Sequence, residues 1–565
     1  MVSIKSIGTV TRRYRNLMRY RQIIAIIIKY GFGNIIESLH IDQYLESGLK
    51  LISGQKSEKI EKLSGHQRIR MILEELGPTF VKMGQVLSTR PDLVPVPLLK
   101  ELTLLQDHVP PFSFDHVQSI ILTEFGKPAD DMFDQIETTP FASASIGQVH
   151  RAVLNGNRNI AVKVQRPGIK KIIEVDLEIM HHLATLMQTH IEELAVHRPV
   201  IIVEEFAKSL ENELDYSIEL SNMERMAEQF QGDPTIRIPE VYPAVSGEKV
   251  LTMEYIDGIK ISELFQDQTK DFNNKLLTCR GADFIMKQVF EHGFFHADPH
   301  PGNILVSGNN VICPIDYGIT GFVDKKTREI FVDLIHSLAS KNYGLTARLL
   351  CELTEYDTQP DLNHLEKNIA QFVGLHLSGP LKQMKTGKMV HQFLELSALH
   401  GLRIPPDFFL MIKAFVTIEG VARRLDPEFD MLEHAVPYIR SAKYARVSPS
   451  RLASDFMDIA RESLRLAQTA PGDIIEVMRL AKQGKLEINI NMVGLDKILA
   501  MNHQTSNRIA FAIIIAALIL GSTQLINSNV PPLLFGVSVI GIAGFTAAAI
   551  MGIWLLVAIL RAGRL

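Results

Sequence analysis

The chain has 565 residues, with 59 Lys plus Arg against 63 Asp plus Glu. That length calls for two or three domains rather than a single core, and the near balance of charge gives no reason to expect a nucleic-acid partner. The three cysteines, Cys279, Cys313 and Cys351, form no Cys-x-x-Cys pair, which excludes a disulfide framework or a zinc site built on one.

Residues 1–64 read as a basic and amphipathic helical N-terminus. Arg12, Arg13, Arg15, Arg19 and Arg21 stand beside the apolar run Ile23–Ile28, which is too short to cross a bilayer and precedes no small-residue cleavage site. Two readings stay open: the segment lies on an anionic lipid surface, or it docks on the protein. Residues 65–110 are a second helical extension carrying Lys82-Met83-Gly84-Gln85, then Arg90-Pro91-Asp92, and Pro110-Pro111 closes it.

Residues 111–253 hold mixed signals. Ala142-Ser143-Ala144-Ser145-Ile146-Gly147 leads into a strand, a turn at Asn155-Gly156-Asn157 and a second strand, Ile160-Ala161-Val162-Lys163-Val164. Long helices are predicted over about 169–196 and 200–230. On the second, Asp215, Glu219 and Asn222 share one face at i, i+4 and i+7, whereas Glu213 does not. A strand from Glu248 to Met253 ends at Glu254, which opens a mainly helical stretch, 254–440.

Inside that stretch lies His296-Ala297-Asp298-Pro299-His300-Pro301-Gly302-Asn303, and 13 residues after Asn303 comes Asp316-Tyr317-Gly318. Between them, Ile304–Val306, a Ser-Gly-Asn-Asn turn and Val311–Ile315 read as a β-hairpin that brings Asn303 and Asp316 to neighbouring ends. Pro299 and Pro301 make a rigid loop, which argues against His296 and His300 as paired metal ligands.

Residues 441–507 read as a helical linker. In 508–565, two uncharged runs follow, Ile509–Ile526 of 18 residues and Leu533–Leu560 of 28. Both are long enough to cross a bilayer, the second with tilt. Arg508 on one flank and Arg561 and Arg564 on the other predict a transmembrane hairpin in the cytoplasmic membrane, with both flanks and the preceding domain in the cytoplasm. Gly544, Ala548 and Gly552 form a small-residue stripe, suited to packing within the hairpin or between the protomers of a homodimer.

The order of these elements is that of a protein kinase, so the expected fold is α+β and two-lobed. Lys163 then matches the strand lysine that holds the α- and β-phosphates of ATP, with Glu219 the favoured carboxylate partner. Asn303 and Asp316 would bind Mg²⁺, and Asp298 would orient or deprotonate the acceptor. The nucleotide-binding set is Ala142, Ser143, Ala144, Ser145, Ile146, Gly147, Lys163, Glu254, Asn303 and Asp316.

Two departures stand out. The phosphate loop has alanines where glycines usually let the backbone close on phosphate, and Ala297 replaces the Arg of His-Arg-Asp, with no Ala-Pro-Glu downstream. Both make a peptide-phosphorylating enzyme a poor expectation.

Those departures, with Lys82-Met83-Gly84-Gln85, Glu213-x-Asp215 and Asp298-Pro299-His300-Pro301-Gly302-Asn303, resemble the UbiB (AarF-like) family of atypical kinase-like proteins over about residues 65–430. Leu105-Gln106-Asp107 and Leu425-Asp426-Pro427 also look like the family's. The resemblance implies that the Lys82–Gln85 segment folds over the cleft, with Lys82 and Gln85 gating the site through Glu213 and Asp215. It implies ATPase or small-molecule kinase activity in support of ubiquinone or a related isoprenoid quinone. The implied partners are membrane lipids, prenylated quinone intermediates and quinone-biosynthesis enzymes. A pseudokinase scaffold that binds nucleotide without turnover is the alternative. An antibiotic kinase on the same fold is disfavoured by the membrane hairpin.

Overall fold

The computed structural model describes residues 9–561 except 40–62, 89–93, 106–109, 192–197, 266–271, 377–385, most of 447–494, 529–530, 535–536 and a few single positions. Residues 1–453 and 454–565 form two separate units.

The smaller lobe of the first unit is built on five antiparallel strands, Gln135–Ile136, Ala142–Ser143, Gly147–Leu154, Arg158–Gln165 and Val250–Glu254. The expected turn is present, with Asn155 at φ 50° and Gly156 at φ 79°, the left-handed backbone those residues tolerate best. Strand alternation then decides where the lysine goes. Ile160, Val162 and Val164 are fully buried against Val117 and Ile121 of the Phe114–Phe125 helix, so Ala161 and Lys163 face the other side.

Helices Ile169–His190, Pro199–Glu213 and Tyr216–Gln229 cover that other side. The predicted unbroken helix over 200–230 is thus two helices. The Asp215 carboxylate accepts the Ser217 N–H at 3.0 Å and caps a new helix instead of lying inside an old one.

The larger lobe is mostly helical around two small sheets. Ile304–Ser307 and Val311–Pro314 form the predicted hairpin, with Ile259–Lys260 on its edge. Its turn uses Asn309 and Asn310 at φ 61° and 59°. Phe294–His296 pairs with Thr320–Phe322 and delivers the chain to Asp298.

The N-terminal helix, Thr9–Lys29, is docked on the protein. Ile23, Ile24 and Ile26 are buried, and Arg19 pairs at 2.7 Å with the buried Asp176 and donates at 2.6 Å to the Leu76 carbonyl. The apolar face of this stretch is thus covered by protein, as the docked reading expects. The side chains of Arg12, Arg13 and Arg15 lie outside the described residues.

The extension over 65–110 contains helices Gly65–Leu76, Pro78–Ser88 and Val96–Leu102. Ser64 and Gln67 form a capping box that starts the first, and Gly77 at φ 99° followed by Pro78 separates it from the second. Arg90-Pro91-Asp92 and Gln106-Asp107 lie outside the described residues.

In the second unit, helices Leu495–Asn527 and Val539–Arg561 pack on each other, and each contains a stretch long and apolar enough to cross a membrane, Arg508–Asn527 and Val539–Leu556. The second helix starts later than its apolar run. After Pro531-Pro532, Leu533–Leu534 pairs with Val537–Ser538, and the Pro532 carbonyl accepts the Val539 N–H at 3.0 Å. A Cβ at Gly544 would overlap the Ser522 hydroxyl, so this part of the stripe serves packing within the hairpin, whereas Gly552 has nothing within 4 Å.

Candidate active site

Lys163 reaches across from its strand to Glu219 on the Tyr216–Gln229 helix, with Nζ at 2.9 and 2.7 Å from the two carboxylate oxygens. Glu219 is 4% exposed, and this burial makes the pair stiff, because a lone charge left there would be costly. Asp316 stands on the other side of the same ammonium at 3.9 Å, with its carboxylate about half exposed to the cleft. Burial works against the Lys163 charge, but Glu219 and Asp316 outweigh it and hold the lysine pKa above its ordinary value. Partial desolvation opposes ionisation of Asp316 as well; Lys163, the Gly318 N–H and Lys82 overcome it and bring the half-exposed carboxyl below its ordinary range.

The Glu219 helix also fixes the Asp-Tyr-Gly backbone. Glu219 accepts from the Tyr317 N–H at 3.4 Å, and Asn222 donates to the Tyr317 carbonyl at 3.1 Å. The Tyr317 ring is fully buried and its hydroxyl donates to Pro314 O at 3.1 Å, so Asp316 projects from an anchored turn. Asn303 precedes the first strand of the hairpin at its open end, where its carbonyl accepts the Ile315 N–H at 3.0 Å. Lys163 and Asp316 are therefore neighbours, and the Asn303 backbone lies beside Ile315, one residue before Asp316. The Asp316 carboxylate and an Asn303 carboxamide are hard oxygen donors, the chemistry magnesium takes. No group of three or more His, Cys, Asp or Glu suited to a metal occurs among the described residues.

The phosphate loop is less open than a glycine loop. Ala142 and Ala144 are exposed, and the Ala144 N–H closes on the Gly147 carbonyl at 2.8 Å. Ser143 is half-buried at the strand edge, paired with Gln148. Ile146 is a core residue, so only its backbone can face a ligand. Ser145 is buried and its hydroxyl finds no partner among the described residues. Gly147 is required by packing, since a Cβ would meet the Tyr216 hydroxyl and the Val164 carbonyl. Glu254 ends the strand linking the lobes, but its carboxylate is paired with Arg237 and its N–H donates to the Glu240 carbonyl at 2.7 Å, so neither is free for a nucleotide.

The gating residues divide. Lys82, on the Pro78–Ser88 helix, pairs with Glu213 at the end of the Pro199–Glu213 helix, and its charge is felt at Asp316. Gln85 instead donates weakly to the Leu105 carbonyl at 3.4 Å. Asp215 turns to its own helix N-terminus. Of the four residues expected to gate the site, Lys82 and Glu213 are in contact, whereas the helix break at Leu214 carries Asp215 into a cap. Gly84 admits Leu105 and Leu73, where a Cβ would overlap both.

Sequence reasoning missed one residue. Asp298 is held by Lys413, whose Nζ lies 3.1 Å from a carboxylate oxygen. Nothing in the local pattern around 413 signals this, since Lys413 comes from a helix more than a hundred residues downstream.

A sheet-based lobe with a Lys–Glu pair, a helical lobe with Asp-x₄-Asn and Asp-x-Gly loops, and a cleft between them define a kinase-like protein. Residues 104–350 match the ABC1 atypical kinase-like domain, 369–430 the UbiB helical domain and 493–561 the ABC1/UbiB kinase-like C-terminal domain. The chain is 32% identical to an "Uncharacterized protein in hydrogenase 1 5'region" of Clostridium pasteurianum, over 97% of this chain and 100% of that one. It is 30% identical to a "Probable protein kinase UbiB" of Aliivibrio salmonicida, over 96% and 98%. A solved structure titled as the complex of Rv3197 with erythromycin, from Mycobacterium tuberculosis, is 24% identical with a TM-score of 0.45, covering 63% of this chain and 91% of that chain. The chain belongs to the ABC1/UbiB family of atypical kinase-like proteins.

Proposed function

We propose that this protein binds ATP in the cleft and hydrolyses it or transfers its phosphoryl group to a small lipid-like acceptor, in support of isoprenoid quinone biosynthesis at the cytoplasmic membrane. The observation that carries the reading is the convergence of Lys163, Glu219 and Asp316 at 2.7 to 3.9 Å, with Asn303 at the end of the same hairpin. Lys163 would hold the α- and β-phosphates, fixed by Glu219. Asp316 and Asn303 would hold a magnesium ion, whose charge neutralises the phosphate oxygens. Asp298, at the far end of the rigid Pro299–Pro301 loop, would orient the acceptor hydroxyl or water.

The Lys82 helix favours a small acceptor over a peptide, because Lys82 is tied to Glu213 near the site and its charge reaches Asp316. The two apolar C-terminal helices favour an acceptor or cargo that resides in a bilayer, and they would anchor the protein there. The scaffold alternative draws on the same Lys82 contact, since a cation fixed beside Asp316 suits nucleotide retention as well as turnover.

The experiment is the quinone-intermediate profile of a deletion strain complemented with wild type or with Asp298→Asn. Rescue by wild type and not by the variant is expected. Equal rescue would favour the scaffold, and an unchanged profile in the deletion strain would overturn the quinone reading. Removal of residues 508–565 is expected to release the protein from the membrane fraction.

A further inference from the structure

Among the described residues, Lys163, Lys82 and Lys413 each pair with a carboxylate expected at the site, and the first two belong to the pairs already described. Lys163 is bound to Glu219 and Lys82 to Glu213. The third, Lys413, points at the catalytic loop. Its helix, Pro406–Leu425, is fixed in the core of the larger lobe, with Met411 and Ala414 fully buried and Phe415 packed on Phe290 and Phe331. The same helix packs on Thr320–Phe322, the strand paired with Phe294–His296, which delivers Asp298. Lys413 and Asp298 therefore share one rigid support, and their 3.1 Å contact follows from core packing rather than from two mobile surface chains. The lysine is 20% exposed and the aspartate 33%, so both still reach the cleft.

The loop from Ala297 to Asn303 carries no cation of its own, and Ala297, where His-Arg-Asp would have arginine, is fully buried. Phosphoryl transfer concentrates negative charge between the acceptor and the phosphoryl group. A carboxylate placed there without a fixed counter-charge repels the group it is meant to serve.

We propose that Lys413 is the positioning residue for Asp298, supplying from the helical region the positive charge that the catalytic loop lacks. It holds the carboxylate in the orientation that meets the acceptor and makes the Pro406–Leu425 helix part of the active site. The inference rests on the reading of Asp298 as the acceptor-facing group of an ATP site.

The test uses the full chain in detergent or nanodiscs with Mg·ATP. In Lys413→Met, kcat for ATP turnover is expected to fall about 10- to 100-fold, with ATP affinity within about twofold of wild type. Amide exchange across 296–303 should accelerate about tenfold while melting of the whole protein stays put, and Lys413→Arg should recover most of the rate. Adding Lys413→Met to Asp298→Asn should cost no further rate, as expected of groups acting as a unit. Wild-type turnover in Lys413→Met, independent losses in the double variant, or a loss that tracks lowered melting and is not rescued by arginine would each overturn the proposal. The two readings fail differently. If wild type neither binds nor turns over ATP, the ATP reading falls and takes this one with it. If wild type is active, Asp316→Asn is dead and Lys413→Met is normal, only the role of Lys413 falls.

Discussion

Two Lys–Glu pairs line the same cleft, and they differ in what holds them. Lys163–Glu219 joins a central strand to the first turn of a helix, and Glu219 is also tied to the Tyr317 backbone. Lys82–Glu213 joins an N-terminal extension to the last residue of a helix, with both side chains 17–19% exposed. The first pair is built into the lobe, and removing one member leaves an uncompensated buried charge, costing about 3–5 kcal/mol. The second bridges separate segments and keeps water at its edge. The same chemistry thus sits within one lobe in one place and between separate segments in the other.

That contrast can be broken by substitution. The largest effect is expected from Lys163→Met, which should abolish ATP turnover and lower the melting temperature, since it strands Glu219. An active and equally stable variant would mean the inner pair is not structural. Glu213→Gln should leave global melting nearly unchanged but speed amide exchange over Pro78–Ser88, a local loss of about 1–2 kcal/mol. Global destabilisation there would put both pairs in one class. Gly84→Ala should cost about 1–3 kcal/mol by forcing Leu105 and Leu73 apart, read by thermal denaturation. The smallest effect belongs to the exposed loop. Ala144→Gly should shift nucleotide affinity several-fold with little change in stability, because it alters backbone freedom and not packing.

Much of the site was legible because its signals are local. Asp298, Asn303 and Asp316 lie within 19 residues of one another on a loop and hairpin whose turn residues are plain. Lys163 and Glu219 were readable from two periodicities, two along the strand and 3.6 along the helix. What failed was decided by tertiary choice. Asp215 fitted a helix face by spacing, yet an aspartate beside a helix end caps it more favourably than it continues it. The basic N-terminal helix left two readings open, and its docking on the protein becomes visible only with the buried Asp176 that pairs with Arg19. Lys413 carried no local signal at all, because its link to Asp298 is made by how a distant helix docks.

The central claim is that Lys163, Asn303 and Asp316 surround one magnesium-bound triphosphate. It is tested most directly by titrating ATP into the purified protein calorimetrically, with magnesium and with EDTA, for wild type and Asp316→Asn. Binding by wild type that requires magnesium and disappears in the folded variant is the predicted result. Equal binding by both proteins, with or without the metal, would contradict the account.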